Sequence, residues 1–233
     1  MYIDMPTISI MKKKLPLVLI GAGLLIVLLA IFFIFKGSKN TTSTLETEEA
    51  NIPEISQSEW PVVALIPTEN PKVKGSMGHW LDFKVQNVNV AGASSMDYEL
   101  VYSTTDGGQQ GVPGTVKLDG TDIERPLLLG SESSGKYRYD EGVERGTMTL
   151  KFRDAKGKLI GKLVTDFHLQ TGVTTLSSVD GLFTYELEKL AKGVFFVTMK
   201  TFAQPDPSMV VVSGNGYSVF ASDGLPHTGT VSQ

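Results

Sequence analysis

Hydrophobic positions follow two different rhythms along this chain. From Leu15 to Phe35 they form an unbroken run of 21 residues, with Lys12, Lys13 and Lys14 directly in front of it. As a helix such a run is about 31 Å long, the thickness of the hydrocarbon core of a bilayer. It carries no charge, and charge is what that core excludes most strongly. Pro16 sits in the first turn, where its missing N–H breaks no helical bond. A secretory leader has a shorter apolar region, of about 7–15 residues, followed by small residues for cleavage. Here the exit is Ile34-Phe35-Lys36-Gly37-Ser38-Lys39, so the pattern predicts an uncleaved transmembrane helix over 15–35.

From Trp60 onward the rhythm is a period of two. Pro61–Ile66 is a short apolar strand, and Trp80–Val85 and Tyr98–Tyr102 alternate. In Met148–Arg153 the residues Met148, Leu150 and Phe152 share one face, and Thr149, Lys151 and Arg153 the other. That alternation marks strands with one dry and one wet face. Turn signals separate them at Asp106-Gly107, Asp119-Gly120, Lys156-Gly157, Asp180-Gly181 and Asn215-Gly216. Asn215-Gly216, between Val210–Ser213 and Tyr217–Ala221, is the strongest hairpin signal. Phe183, Leu187, Leu190 and Ala191 also fit a helix, with Asp180 as its N-cap and Gly193 past its end. They read better as strand Phe183–Leu187, a turn over Lys189–Gly193 and strand Val194–Lys200, because Val194–Thr198 favours β structure and needs a partner. The expected fold class is mainly β: one N-terminal transmembrane helix followed by antiparallel immunoglobulin-like β-sandwich modules.

The expected organisation is a cytoplasmic leader over 1–14, the helix over 15–35, and a polar Thr/Ser/Glu-rich linker over 36–59. A β-sandwich module over 60–170, a smaller β module over 171–224 and a disordered tail over 225–233 follow. Three lysines precede the apolar run and two, Lys36 and Lys39, follow it. The positive-inside rule therefore places the N-terminus in the cytoplasm and the β region outside, anchored to the cell membrane. The Asn40-Thr41-Thr42 triplet reads as a chance match to a glycosylation acceptor.

Charge and composition narrow the function. Of 21 basic and 25 acidic residues, 18 and 24 follow the apolar run, a net charge of −6. That excludes the basic footprint of a nucleic-acid protein. Cysteine is absent, which removes disulfides, thiolate nucleophiles and cysteine-ligated zinc.

A resemblance supports the fold. Asp154-Ala155-Lys156-Gly157-Lys158, followed by Tyr185-x-Leu187-x-x-Leu190-x-x-Gly193-x-Phe195-x-Val197, resembles bacterial immunoglobulin-like modules. In pattern it is similar to the C-terminal sorting modules of type IX secretion. It covers about a fifth of the chain and implies sandwich turns and strands, not a sorting role.

Motifs for chemistry are sparse. His79, His168 and His227 are the only histidines, and none is spaced with another as a metal pair. His168 alternates with apolar neighbours in Thr165–Leu169 and is expected to face solvent; His79 precedes a strand. Ser131, Ser133 and Ser134 lie in a loop with no base marked beside them. Asp140, Glu141 and Glu144, flanked by Arg138 and Arg145, read as a solvated turn with local ion pairs. Asp106, Asp119 and Asp122 lack the ladder of a calcium loop. Lys151, Arg153, Lys156, Lys158 and Lys162, interleaved with Asp154 and Asp166, read as a solvated sheet face.

Leu225-Pro226-His227-Thr228-Gly229 is similar to the L-P-x-T-G signal of sortase substrates. By that resemblance Leu225 and Pro226 would be recognised and the Thr228–Gly229 bond cut. The apolar span and basic tail of such signals are replaced here by Thr230-Val231-Ser232-Gln233, so the string is expected to be coincidental. The reading is of a binding or envelope-scaffold protein, not an enzyme, with no catalytic, metal or cofactor site. Its expected partners are the membrane and an envelope protein or wall polymer. A wall-polymer hydrolase and a sortase substrate are the alternatives.

Overall fold

The structure is a computed structural model and describes residues 52, 55–207, 210–212 and 215–232. The expected transmembrane helix over 15–35, the leader over 1–14, Asn40 and the linker as far as residue 51 lie outside the described residues. Among the described residues, no helix is long and apolar enough to cross a membrane.

One turn of 3-10 helix (Gln57–Glu59) leads into the strands. In chain order these are β1 (Val62–Thr68), β2 (Trp80–Gln86), β3 (Ser95–Ser103), β4 (Gln109–Lys117) and β5 (Ile123–Leu128). Then come β6 (Gly130–Ser133), β7 (Lys136–Tyr139), β8 (Arg145–Arg153), β9 (Leu159–Thr171) and β10 (Thr175–Ser177). β11 (Thr184–Leu187), β12 (Phe195–Lys200), β13 (Val211–Val212), β14 (Tyr217–Ala221) and β15 (Gly229–Ser232) complete the set. The pairings are antiparallel throughout. The segment that also fits a helix is strand, turn and strand, and Asn215-Gly216 lies between the paired strands β13 and β14.

The strands form a large sheet in the order β13-β14-β12-β9-β8-β3-β4, two three-stranded sheets, β1-β2-β5 and β10-β11-β15, and the hairpin β6-β7. The period of two decides how they stack. On β8, Met148, Leu150 and Phe152 point inward; opposite them on β3 and β9 are Leu100, Met96, Leu163 and Thr165. The apolar ones among these side chains meet Val63, Leu65, Leu81, Phe83 and Val85 from β1 and β2 in the main core. The result is β-sandwich-like, with one face of the large sheet on a small one.

The opposite face of the large sheet is divided. Over β3, β4 and β8 it is polar and open to solvent. Over β12 and β14 it carries Phe196, Tyr217, Val219 and Ala221, which pack with Leu176, Phe183, Tyr185 and Leu187 from β10, β11 and the turn between them. The third sheet is thus a cover, seated on a second hydrophobic cluster. That cluster is drawn from residues 176–221, inside the smaller module expected from the sequence. The expected boundary at residue 170 falls within β9, however, and the large sheet continues across it through the β9–β12 pairing.

Two expectations are corrected. His168 is 6% exposed rather than facing solvent, because β9 leaves the open half of its sheet and passes beneath the cover. The expected disordered tail forms β15, in register with β11 from Thr184↔Ser232 to Leu187↔Gly229.

Local chemistry shapes the remaining edges. Asp154 accepts the backbone N–H groups of Lys156 and Lys158, and Gly157, at φ +80°, closes the β8–β9 turn. β4 is the outer edge of the large sheet, and Pro113 in its middle interrupts the row of donors that would recruit another strand.

Parity on β9 yields a direct test. Phe167 is fully buried in the main core, whereas Val164, three residues earlier on the other face, is 50% exposed. Phe167→Ala should cost about 3–5 kcal/mol in urea unfolding, and Val164→Ala within about 0.5 kcal/mol of zero. Equal losses would refute the assigned faces.

Candidate functional site

A cleft of about 400 Å³ gathers residues that the sequence keeps far apart: His79, Asp140, Glu144, His168, Thr171 and Phe195 among its walls. Two connections and strand β9 converge to make it. The first is the loop from β1 to β2. Buried Ser76 organises this loop by accepting the Asn70 N–H at 2.8 Å and donating to the Val73 carbonyl at 2.8 Å. Gly78 then turns at φ +81°, and a Cβ there would lie 2.3 Å from the Phe195 ring, so only glycine lets the loop close onto β12. His79 follows, its imidazole stacked on Tyr139 at 4.4 Å and 16°. Tyr139 in turn stacks on Tyr137, whose ring meets the edge of Trp80. The aromatic ladder ties the β6–β7 hairpin to the start of β2.

The second connection, between β7 and β8, supplies the carboxylates. Asp140 donates its backbone N–H to the Leu129 carbonyl, and its Oδ2 accepts the Tyr102 hydroxyl at 2.9 Å. Burial, helped by the Asp140 carboxylate, raises the Tyr102 pKa well above the usual phenol value. The Glu144 carbonyl accepts the Leu169 N–H at 2.6 Å and pins this loop to β9. The expected solvated turn does keep Glu141, Glu144 and Arg145 exposed, and it is also a wall of the cleft, docked at both ends.

The third contribution is His168 itself. Its Nδ1 lies 2.7 Å from the Ser177 carbonyl, an acceptor only, so Nδ1 carries the hydrogen and Nε2 the lone pair. Gln170, on the same face, accepts the Ser177 N–H at 2.9 Å and donates to the Thr175 carbonyl. Together these two side chains fasten β10 to β9. Desolvation lowers the His168 pKa, and Arg145 adds to this, while the Ser177 carbonyl and Glu144 act the other way. His79 is also lowered, by burial against the opposing influence of Glu141. Both rings are neutral at pH 7; His168 spends its one hydrogen on Ser177 and keeps only the Nε2 lone pair, whereas His79 can give one hydrogen bond and take one.

The cleft offers neutral imidazoles and carboxylates on a rigid frame, suited to orienting a hydrogen-bonding partner. Among the described residues, no group of three His, Asp or Glu side chains is arranged to hold a metal ion.

The other candidate residues lie elsewhere. Asp106 and Asp119 accept the hydroxyl and backbone N–H groups of their own turns. Ser131 and Ser133 lie on the β6–β7 hairpin, with Ser134 in its turn. Arg153 is bound to Asp97 at 2.6 Å on the open face of the large sheet. His227 pairs with Asp223 at 3.0 Å and packs edge-on against Phe196.

Leu225, Pro226, Thr228 and Gly229 form a clasp at the rim of the cover. Leu225 is 61% exposed. Tyr185 donates its hydroxyl to the His227 carbonyl at 2.7 Å, and the Thr228 carbonyl accepts the Glu188 N–H at 3.1 Å. Thr228 Oγ1 donates to Glu188 at 2.9 Å. Gly229 passes so close to β11 that a Cβ would sit 2.3 Å from the Glu186 carbonyl oxygen. In this fold the string therefore has a packing role, and the carbonyl a sortase would attack is held in a hydrogen bond.

No protein-family model matches the chain, and neither does any curated protein.

The buried imidazole predicts a pH dependence. Above pH 6.5 folded and unfolded chains both keep His168 neutral; below it the unfolded chain takes up a proton that the folded one resists. Stability should fall as pH drops from 6.5 toward the lowered folded value. Urea midpoints at pH 7.5 and 5.0 should differ less in His168→Gln than in the wild type. An equal difference would show that His168 does not titrate with folding.

Proposed function

We propose that this protein is a single-pass, membrane-anchored module, held outside the cell on its linker, that binds a component of the envelope through the His79–His168 cleft. One observation carries the reading. Three of the four titratable side chains that line the cleft are engaged by the scaffold: Asp140 by Tyr102, His168 by Ser177 and His79 by Tyr139. Groups locked in this way present a fixed pattern of donors and acceptors, which favours recognition because little ordering is left to do on binding. The apolar run over 15–35 and the lysines before it support the anchor and its direction. The finer reading as an immunoglobulin-like module rests on the Asp154–Lys158 turn and the strand pattern from Tyr185 to Val197. Binding through loops carried on a sandwich accords with that architecture.

A wall-polymer hydrolase is the second reading, favoured by the meeting of two neutral imidazoles with Asp140 and Glu144. It requires that Glu144→Gln abolish release of soluble fragments from isolated wall material.

Two measurements test the main reading. Protease added to spheroplasts should cut within the linker over 36–59 and release the β region. Protection of that region behind an intact bilayer would overturn the orientation. The released β region, freed of the apolar run, should also co-sediment with isolated envelopes of its own cell. Val143→Arg in the cleft wall should weaken that association about tenfold or more, while Lys117→Glu on the distant edge strand leaves it unchanged. Equal behaviour of the two variants would remove the cleft from the interaction.

A further inference from the structure

We infer that a second cavity, beneath the start of the folded region, binds a neutral, hydroxyl-rich ring such as one unit of a saccharide. The cavity holds about 290 Å³, at the small end of ligand sites. It lies between the open half of β9, the end of β12 and the turn from β10 to β11, and it is separate from the His79–His168 cleft.

Its apolar wall is Trp60, Phe202 and Val164. The Trp60 indole is fixed in orientation, because Nε1 donates to the Ile55 carbonyl at 3.0 Å and the ring meets Phe202 at 5.9 Å and 74°. Val164 is half exposed on the solvent face of β9. An oriented aromatic next to an exposed aliphatic residue gives a flat surface for the C–H face of a ring.

The polar rim is Asp166, Asp180 and Lys200. Asp180 is firmly held: it accepts the Ser178 hydroxyl at 2.5 Å, the Leu182 N–H at 3.1 Å and the Tyr217 hydroxyl at 2.5 Å. Burial would raise its pKa, but these hydrogen bonds, with Lys200 nearby, outweigh that and keep it ionised. Burial, together with this pairing, pushes the Tyr217 pKa up to about 12. Asp166 accepts the Thr147 hydroxyl through Oδ1 at 2.7 Å. Lys200, the last residue of β12, lies on the same face of the large sheet, and its carbonyl accepts the Thr165 hydroxyl beneath the cavity at 2.5 Å.

These groups select the ligand by elimination. A purely apolar molecule would desolvate two carboxylates and an ammonium without replacing their water. A polyanion meets two carboxylates, and a polycation meets Lys200. A neutral ring with one apolar face and hydroxyls along its edge satisfies every wall, its hydroxyls donating to the carboxylates and accepting from the ammonium. The inference goes beyond the proposed function and depends on neither the anchor nor the His79–His168 cleft.

Tryptophan emission tests it. The chain has two tryptophans, and Trp80, packed against Tyr137, does not line this cavity. The full chain carrying Trp80→Phe, in a zwitterionic detergent free of sugar headgroups, reports Trp60 alone. Neutral probes are glucose, N-acetylglucosamine and their β-1,4-linked oligomers; N-acetylneuraminic acid and glucosamine are the charged comparisons. At least one neutral probe should give a saturable change with a dissociation constant below about 1 mM. Asp166→Asn should weaken that binding about tenfold with the urea midpoint unchanged. No response from any neutral probe at about 10 mM, equal binding by Asp166→Asn, or tighter binding of a charged comparison would overturn the inference. Loss of envelope co-sedimentation bears only on the cleft.

Discussion

Over Phe167, His168 and Leu169 the chain is buried on both sides of a single strand, and the rest of the structure is arranged around that constraint. Phe167 and Leu169 face the main core; His168 faces the underside of the β10-β11-β15 sheet. A polar ring in such a place requires a partner, and the Ser177 carbonyl supplies it, as Gln170 supplies the Ser177 N–H. The cover is therefore joined to the large sheet by directed hydrogen bonds as well as by the Phe196, Tyr217 and Val219 cluster. Removing either component would expose apolar surface on β12 and β14 that no other described element covers.

The same constraint creates both cavities. Where β9 emerges from the cover at its C-terminal end, the β7–β8 and β1–β2 connections close over it and form the His79–His168 cleft. Where it runs out into the open sheet at its N-terminal side, Val164 and Asp166 are left beside the turn that carries Asp180, and Trp60 and Phe202 complete the second cavity. Each is a seam at the border between a covered and an uncovered half of one sheet. Strands hold the chemistry in register, and the connections choose which groups meet.

Much of the fold was legible. Alternation in Met148–Arg153 predicted β8 and its faces; the Asn215-Gly216 signal predicted the last hairpin; the β-rich run from Val194 predicted β12 against the helical alternative. These are local properties: side-chain period and turn conformation are settled within a few residues. The site was less legible. Thr165–Leu169 alternates, so His168 looked solvated, and the Asp140–Glu144 stretch looked like any charged turn. Alternation identifies two faces but does not say whether a second sheet lies on the wetter one. Gly78 and Gly229 were signals of another kind, since each permits a close approach whose partner the local pattern does not name.

By itself the sequence determined several of the strands, β1, β2, β3, β8, β12 and β14 among them, with the uninterrupted apolar run over 15–35, the acidic balance, and a stability independent of disulfides. Those follow from composition and from periods shorter than a single strand. Only the tertiary structure decided that His168 is buried, that the Leu225–Gly229 string is a clasp leading into β15, and that His79 and His168 share a cleft. Each of these depends on pairing between residues far apart in the chain. That pairing is fixed by burying two faces of one sheet at once, a condition no local window of sequence contains.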